Sequence, residues 1–233
     1  MNIATRKSVL KLAITCLSLY SGFRVQATIV PEVGVHMPMY FINGYNIINN
    51  GNNDGTIKTQ YGLTGGFTYN SYIISPFYWQ LGAFYQQNNF YENRNASAGT
   101  SKSYDLQVNS IFVPVYFMVK TGLPCKPHFL AGAGMFISYN LNAHLTKEIE
   151  GSAGTTEIDL KVGGNAGDDL KAINYGVTAY AGYESRSGYS LKCTYSSGMQ
   201  NLLMQTYSDS YFKLKTVSIT VGRSFKKRKR CGY

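Results

Sequence analysis

The stretch Tyr61-Gly62-Leu63-Thr64-Gly65-Gly66-Phe67-Thr68-Tyr69 decides the fold. In an extended chain successive side chains point to opposite faces, so Tyr61, Leu63, Phe67 and Tyr69 share one face with Gly65, and Gly62, Thr64, Gly66 and Thr68 share the other. A period of two with one apolar and one polar face marks a strand between two different surroundings. The pattern recurs along the chain. Phe77, Trp79, Leu81, Ala83 and Tyr85 oppose Gln80, Gly82 and Gln86. Ile111, Val113, Val115, Phe117 and Val119 oppose Ser110, and here the second face is itself mostly apolar, with Phe112, Pro114, Tyr116 and Met118. Phe129 to Ile137, Tyr175 to Tyr183, Tyr189 to Tyr195 and Val217 to Phe225 repeat the alternation. Val33, Val35, Met37, Met39 and Phe41 against Gly34 and His36 supply the first strand, so eight are expected.

The connections alternate in length. Residues 43–59, 89–104, 142–171 and 198–213 are long, polar and rich in Gly, Asn and Ser, whereas 70–76, 120–127 and 184–188 are short. Long loops at one end and tight turns at the other describe an up-and-down meander whose two ends meet different media. Strands of about ten residues suit a tilted crossing of the hydrocarbon layer, and closure leaves no unpaired edge in lipid. Alternation alone fits a soluble ligand-binding barrel equally well, because turning the sheet inside out preserves it. The polar faces, with Thr, Gln, Ser, Asn, Lys192 and Glu184, suit a hydrogen-bonded lumen better than an apolar cavity. Tyr40, Tyr61, Tyr69, Tyr85, Tyr183 and Tyr195 stand near strand ends, where interfacial aromatic girdles lie. The sequence therefore predicts an all-β fold over residues 28–225, an eight-stranded antiparallel up-and-down transmembrane β-barrel of the outer membrane, with both termini in the periplasm.

Residues 1–27 read as a signal peptide, with Arg6, Lys7 and Lys11 ahead of an apolar run from Leu12 to Phe23 and a Val25-Gln26-Ala27 cleavage site. Its removal takes four of the 22 basic side chains and leaves 18 against 12 acidic ones. Five of the 18 form the run Lys226 to Arg230, so the basic balance belongs mainly to a tail, residues 226–233. On the periplasmic side such a tail is expected to lie on anionic headgroups and to meet no nucleic acid. Cys125, Cys193 and Cys231 remain; an odd count argues against a disulfide framework, although a Cys125–Cys231 bond is compatible with the topology.

The blocks Ser110-Ile111-Phe112-Val113-Pro114-Val115-Tyr116-Phe117, Lys126-Pro127-His128-Phe129-Leu130-Ala131-Gly132 and Asn174 to Tyr183, followed by Leu191 to Gly198, resemble in that order the outer-membrane β-barrel family labelled PorT-like or porin family. The resemblance covers nearly all of the mature chain. Members often carry an acidic residue where this chain has Phe112 and a basic one where it has Thr194, so the resemblance implies that a lumenal ion pair has been replaced here by a neutral contact. It also implies an aromatic end to the last strand, read by the barrel assembly machinery; Phe225 fits, with eight residues beyond it.

An eight-stranded barrel is just wide enough for side chains to fill it, which argues against a general porin. The expected function is a non-enzymatic barrel with a plugged lumen that serves envelope structure or surface interaction through its long extracellular loops. Its partners would be outer-membrane lipids, lipopolysaccharide and an envelope protein. An accessory role in a secretion system, implied by the PorT-like label, and a lipid-modifying enzyme are the alternatives. No catalytic, cofactor or metal residues are assigned. His36 is expected in the lumen at mid-strand, His128 near a periplasmic turn and His144 at the start of a loop, none with an evident nucleophile and carboxylate. The 142–171 segment holds six acidic residues, Glu148, Glu150, Glu157, Asp159, Asp168 and Asp169, which read as a solvated, mobile loop or a divalent-cation site.

Overall fold

Eight long strands realise the alternation in a computed structural model that describes residues 28–43, 56–95, 101–121, 126–149, 155–165, 167–202 and 211–225. They are β1 (Thr28–Asn43), β2 (Gly62–Ile74), β3 (Phe77–Asn95), β4 (Ser101–Thr121), β5 (His128–Ile149), β6 (Ile173–Glu184), β7 (Tyr189–Gly198) and β8 (Tyr211–Arg223). Each pairs antiparallel with its sequence neighbours, and β8 returns to β1, so the ring closes. The expected signal peptide, the basic tail and the Cys125–Cys231 pair lie outside the described residues. Cys193 is a free, exposed thiol on β7.

The pairing register fixes the barrel's dimensions. Following directly opposed residues from Ile29 through Tyr69, Leu81, Val115, Met135, Val177, Ser197 and Lys215 returns to β1 at Met39, ten residues further on. A stagger of ten over eight strands spaced ~4.8 Å apart with a ~3.3 Å rise tilts the strands by about 40°. The backbone radius is then roughly 8 Å, a tube that inward side chains can fill.

Burial is inverted relative to a water-soluble protein. Val33, Leu63, Phe67, Trp79, Leu81, Phe117, Met135, Ile137, Leu191, Ile219 and Val221 are exposed, whereas Thr64, Thr68, Gln80, Ser138, Thr178, Ser196, Thr216, Ser218 and Thr220 are buried. An apolar belt this continuous far exceeds the patches of a few hundred Å² that soluble monomers tolerate, and only acyl chains would solvate it. Tyr61, Tyr85, Tyr139 and Tyr175 stand exposed toward one rim and Tyr69, Tyr183 and Tyr189 toward the other. The side chain of Tyr40 lies outside the described set.

The short turns are as expected. Ser75-Pro76, with a cis peptide bond, joins β2 to β3, and Ser185 to Gly188 join β6 to β7. Gly188 adopts φ +88°, which a side chain would strain, and its carbonyl accepts the amide of Ser224 at 2.8 Å. The long connections differ from expectation. Segments read as loops at 89–104 and 142–171 are largely strand: β3, β4 and β5 run 19, 21 and 22 residues, and Thr155–Leu160 adds another strand against Ala143 to Glu148. Thr56–Thr59 likewise pairs with Phe90 to Asn93.

The physical reason is a change of polarity along the same strands. Inside the belt the outward face is apolar. Above it, Phe90, Leu106, Val108, Ala143 and Leu145 turn inward and bury, joined by Leu170, while Gln107, His144 and Thr146 face outward. A bulge at Leu141 effects the change on β5: Ser110 pairs with Asn140 but Asn109 with Asn142, so the parity of inward positions flips. The upper sheet thus follows the ordinary apolar-in, polar-out rule of a sheet in water.

Candidate functional site: the lumen and the cap above it

The lumen is closed by three layers. Lowest lies a charged layer near the short-turn rim. Glu32 of β1 is 5 % exposed and accepts Lys192 Nζ at 2.5 Å, Thr68 Oγ1 at 2.6 Å and Thr220 Oγ1 at 3.1 Å, gathering four strands on one carboxylate. Lys192 also stands 5.3 Å above the centre of the Tyr180 ring. A second pair, Lys120 with Glu184 at 2.6 Å, lies across β4 and β6, and Lys120 sits 5.5 Å over the Tyr78 ring. Burying a charge is costly unless it is paired and hydrogen-bonded, and the described lumenal charges meet that condition.

The middle layer is aromatic. Phe112 and Phe136 pack at 4.9 Å between ring centres with Phe84 beside them, and Tyr116 meets Tyr180 edge-on at 4.8 Å with Met118 and Leu130. Tyr180 lies against Gly132: a Cβ added there would stand 2.4 Å from the ring carbon Cε1, so only glycine lets the ring lie flat across β5. Hydrogen bonds tie the layer together, with Thr178 Oγ1 bridging Tyr116 Oη at 3.2 Å and Ser196 Oγ at 2.8 Å, and Gln80 Nε2 donating to Asn70 at 2.6 Å. Higher up, His36, 1 % exposed, bonds Asn88 Oδ1 through Nε2 at 3.2 Å, and Asn88 donates to Ser110 Oγ.

Between the charged and aromatic layers remains a cavity of about 30 Å³, lined by Glu32, Lys192, Tyr116, Tyr180, Phe84 and Gln80 among others. That is room for one or two waters. The third layer is the cap, the apolar cluster of Phe90, Leu106, Val108, Ala143, Leu145 and Leu170, with Leu160, Val162 and Leu214 against it.

The ring is closed, with an acyl-facing exterior and a filled polar and aromatic interior. The barrel is of the outer-membrane type. The outer membrane is where a closed sheet with this exterior belongs, its strands doing the crossing; no helix among the described residues is long and apolar enough to cross a membrane. No protein-family model and no curated protein matches the chain. Among solved structures, it is similar to Ail, the attachment invasion locus protein of Yersinia pestis, with 9% identity, 85% of this chain and 99% of that one covered, and a TM-score of 0.40. It is also similar to Neisserial surface protein A, with 10% identity, 85% and 99% covered and a TM-score of 0.42. For the outer membrane protein OprG of Pseudomonas aeruginosa the values are 9%, 86% and 96%, and 0.48. At such identities nothing about ligand or activity passes from them to this chain.

His36 stands in the lumen as expected, and Phe112 and Thr194 both line the lumenal cavity. The lumen nonetheless holds an ion pair, formed by Glu32 and Lys192 and not by positions 112 and 194. Sequence reasoning missed Glu32, although it shares a face with Gly34 and His36, and it missed Lys120, taken there for the start of a turn. His128 Nδ1 lies 2.9 Å from the Thr121 carbonyl beside the short-turn rim. His144 does not open a loop: it sits within β5 on the cap's outer face, its Nδ1 2.5 Å from Asp159 Oδ1. Glu148, Glu157 and Asp159 belong to strands of the cap, and Asp168 Oδ2 accepts the Asn165 amide at 2.7 Å, so the described part of the acidic segment is sheet and turn where a mobile loop was expected; Glu150 lies outside the described residues. Among the described residues no three His, Cys, Asp or Glu converge as a metal site.

Proposed function

We propose that this chain is a non-conducting outer-membrane barrel that works at the cell surface through the sheet it raises above the membrane, in envelope structure or surface interaction, and not as a transporter or an enzyme. The carrying observation is the stacked filling of the lumen by the Glu32–Lys192 layer, the aromatic layer and the apolar cap, with a cavity between the first two that holds only one or two waters. What is built up instead is the long-connection end, where β3, β4, β5 and Thr155–Leu160 extend as a sheet with its own core. The short turns at the other rim support placing that end outward and the short-turn rim in the periplasm. His144 supports no hydrolytic reading, since among the described residues it bonds the Asp159 carboxylate but no hydroxyl nucleophile. The PorT-like resemblance and a secretion role have no observation of their own in the barrel.

One pair of measurements tests this. Purified refolded chain in planar bilayers is expected to give no stepwise conductance, and protease added to intact cells is expected to cut only in the long connections. Stepwise channels from the wild-type chain would overturn the plugged lumen, and cuts at 75–76 or 185–188 on intact cells would overturn the orientation.

A further inference from the structure

The outer face of β8 reads, from the short-turn rim upward, Arg223, Val221, Ile219, Val217, Lys215. Eight residues separate the two cations, about 20 Å of membrane depth at the barrel's tilt, so Arg223 stands at the boundary of the acyl layer. Its guanidinium lies 5.1 Å from the Tyr189 ring centre and 5.5 Å from that of Phe225, two exposed rings at the same boundary. Arg186 in the β6–β7 turn and Lys126 before β5 are exposed on the same rim. None of these three cations is ion-paired among the described residues, and the carboxylates nearest this rim, Glu32 and Glu184, are buried in the lumen and held by Lys192 and Lys120. The sequence then runs from Phe225 straight into Lys226 to Arg230. The rim is therefore cationic with no surface acid to balance it, and it continues the lipid-facing belt.

We propose that this rim is a binding site for anionic phospholipids of the periplasmic leaflet, with Arg223 as its anchor. Tyr189 and Phe225 hold the guanidinium by its face, which leaves its edge N–H groups to bond a headgroup phosphate in bidentate fashion while the rings rest on the glycerol and upper acyl region. Arg186, in the nearby β6–β7 turn, adds charge beside it, while Lys126 stands across the ring between β4 and β5. A lipid is favoured over a soluble acidic partner because the anchor sits on the acyl-facing side of the strand, in line with Val221 and Ile219. The inference rests on the orientation proposed above only for naming the leaflet; the site itself follows from the rim.

The test is native mass spectrometry of the full mature chain released from nanodiscs of phosphatidylcholine doped with phosphatidylglycerol, counting retained lipids. Each interfacial cation contributes ~1 kcal/mol, or about fivefold in affinity. The wild type should retain phosphatidylglycerol preferentially, Arg223→Gln should lose about fivefold of that preference, and the double variant with Arg186→Gln should lose roughly twenty-fivefold. Arg223→Lys keeps the charge but not the ring stacking and planar fork, and should fall between. Heat-modified gel migration checks that each variant is folded; should Arg223→Gln fail it, Arg186→Gln and Arg223→Lys carry the test. Equal retention of both lipids by the wild type, an unchanged preference in the double variant, or loss of the preference in millimolar inorganic phosphate would overturn the assignment. Nanodiscs of one lipid mixture present the same lipids to both rims, so this result is independent of the protease experiment on orientation.

Discussion

Glu32 and Lys192 are 160 residues apart in sequence and 2.5 Å apart across the lumen. Their carboxylate and ammonium, both nearly devoid of solvent, join β1 to β7, and the hydroxyls of Thr68 and Thr220 draw β2 and β8 to the same carboxylate. One buried ion pair thus staples the closing seam of the ring, where the last strands meet the first.

Removing one partner leaves a charge in the lumen without its counter-ion, at a cost of about 3–5 kcal/mol. Glu32→Gln is expected to destabilise by that order. Glu32→Gln combined with Lys192→Met should recover most of the loss, because the surrounding hydroxyls can bond a neutral amide. Urea unfolding in lipid vesicles followed through Trp79, the chain's single tryptophan, reads the cycle. Additive losses in the double variant would show that the two groups do not act as a pair.

The Tyr180 ring lies where the Cβ of any residue other than glycine at position 132 would stand. Gly132→Ala must push the ring off β5 and out of its edge contact with Tyr116, an overpacking expected to cost about 1–3 kcal/mol. In a Tyr180→Leu background the same alanine should cost far less. An equal cost in both backgrounds would place the penalty in the backbone of β5 and not in the ring.

The lipid-facing stripes were legible in the sequence because period-two alternation survives any amount of residue drift. Val33, Leu63, Trp79 and Met135 stand where the pattern put them. The lumen was half legible. Glu32 lies on the polar face that His36 announces, but a single carboxylate gives no hint of a partner 160 residues away until the register brings β7 and β8 round to β1. The cap was not legible, and Leu141 shows why. The bulge there adds one residue, so Ala143 and Leu145 fall on the face opposite to the one an unbroken alternation assigns them. Above the belt the polarity rule also reverses, and residues such as His144, Thr146 and Glu157, which read as loop, are the wetted outer face of a sheet.

If the cap owes its order to that small core, Leu145→Asn should open it without harming the barrel. Truncating and polarising a buried leucine costs about 2–5 kcal/mol locally. Limited proteolysis should then cut within the paired strands 143–148 and 155–160, which are expected to resist in the wild type, while heat-modified migration stays unchanged. Collapse of both together would mean that cap and barrel form one cooperative unit.

The level at which polarity reverses can be located by a single charge moved along β5. Met135 is 72 % exposed and lies midway along the apolar outward run from Phe129 to Leu141, whereas His144, also outward, lies above the bulge. An arginine at the centre of the acyl layer costs about 2–4 kcal/mol, and at or beyond its edge about 0–1. Met135→Arg should therefore lower the folding free energy into vesicles by the larger amount, and His144→Arg should change it little beyond the loss of its contact with Asp159. Both are exposed outward positions on one strand, nine residues and one bulge apart, so depth is the main variable between them. Equal penalties would mean that the acyl layer reaches the cap, and the apolar core of Phe90, Leu106 and Leu145 would then have to be explained as a membrane-buried plug instead of a sheet standing in water.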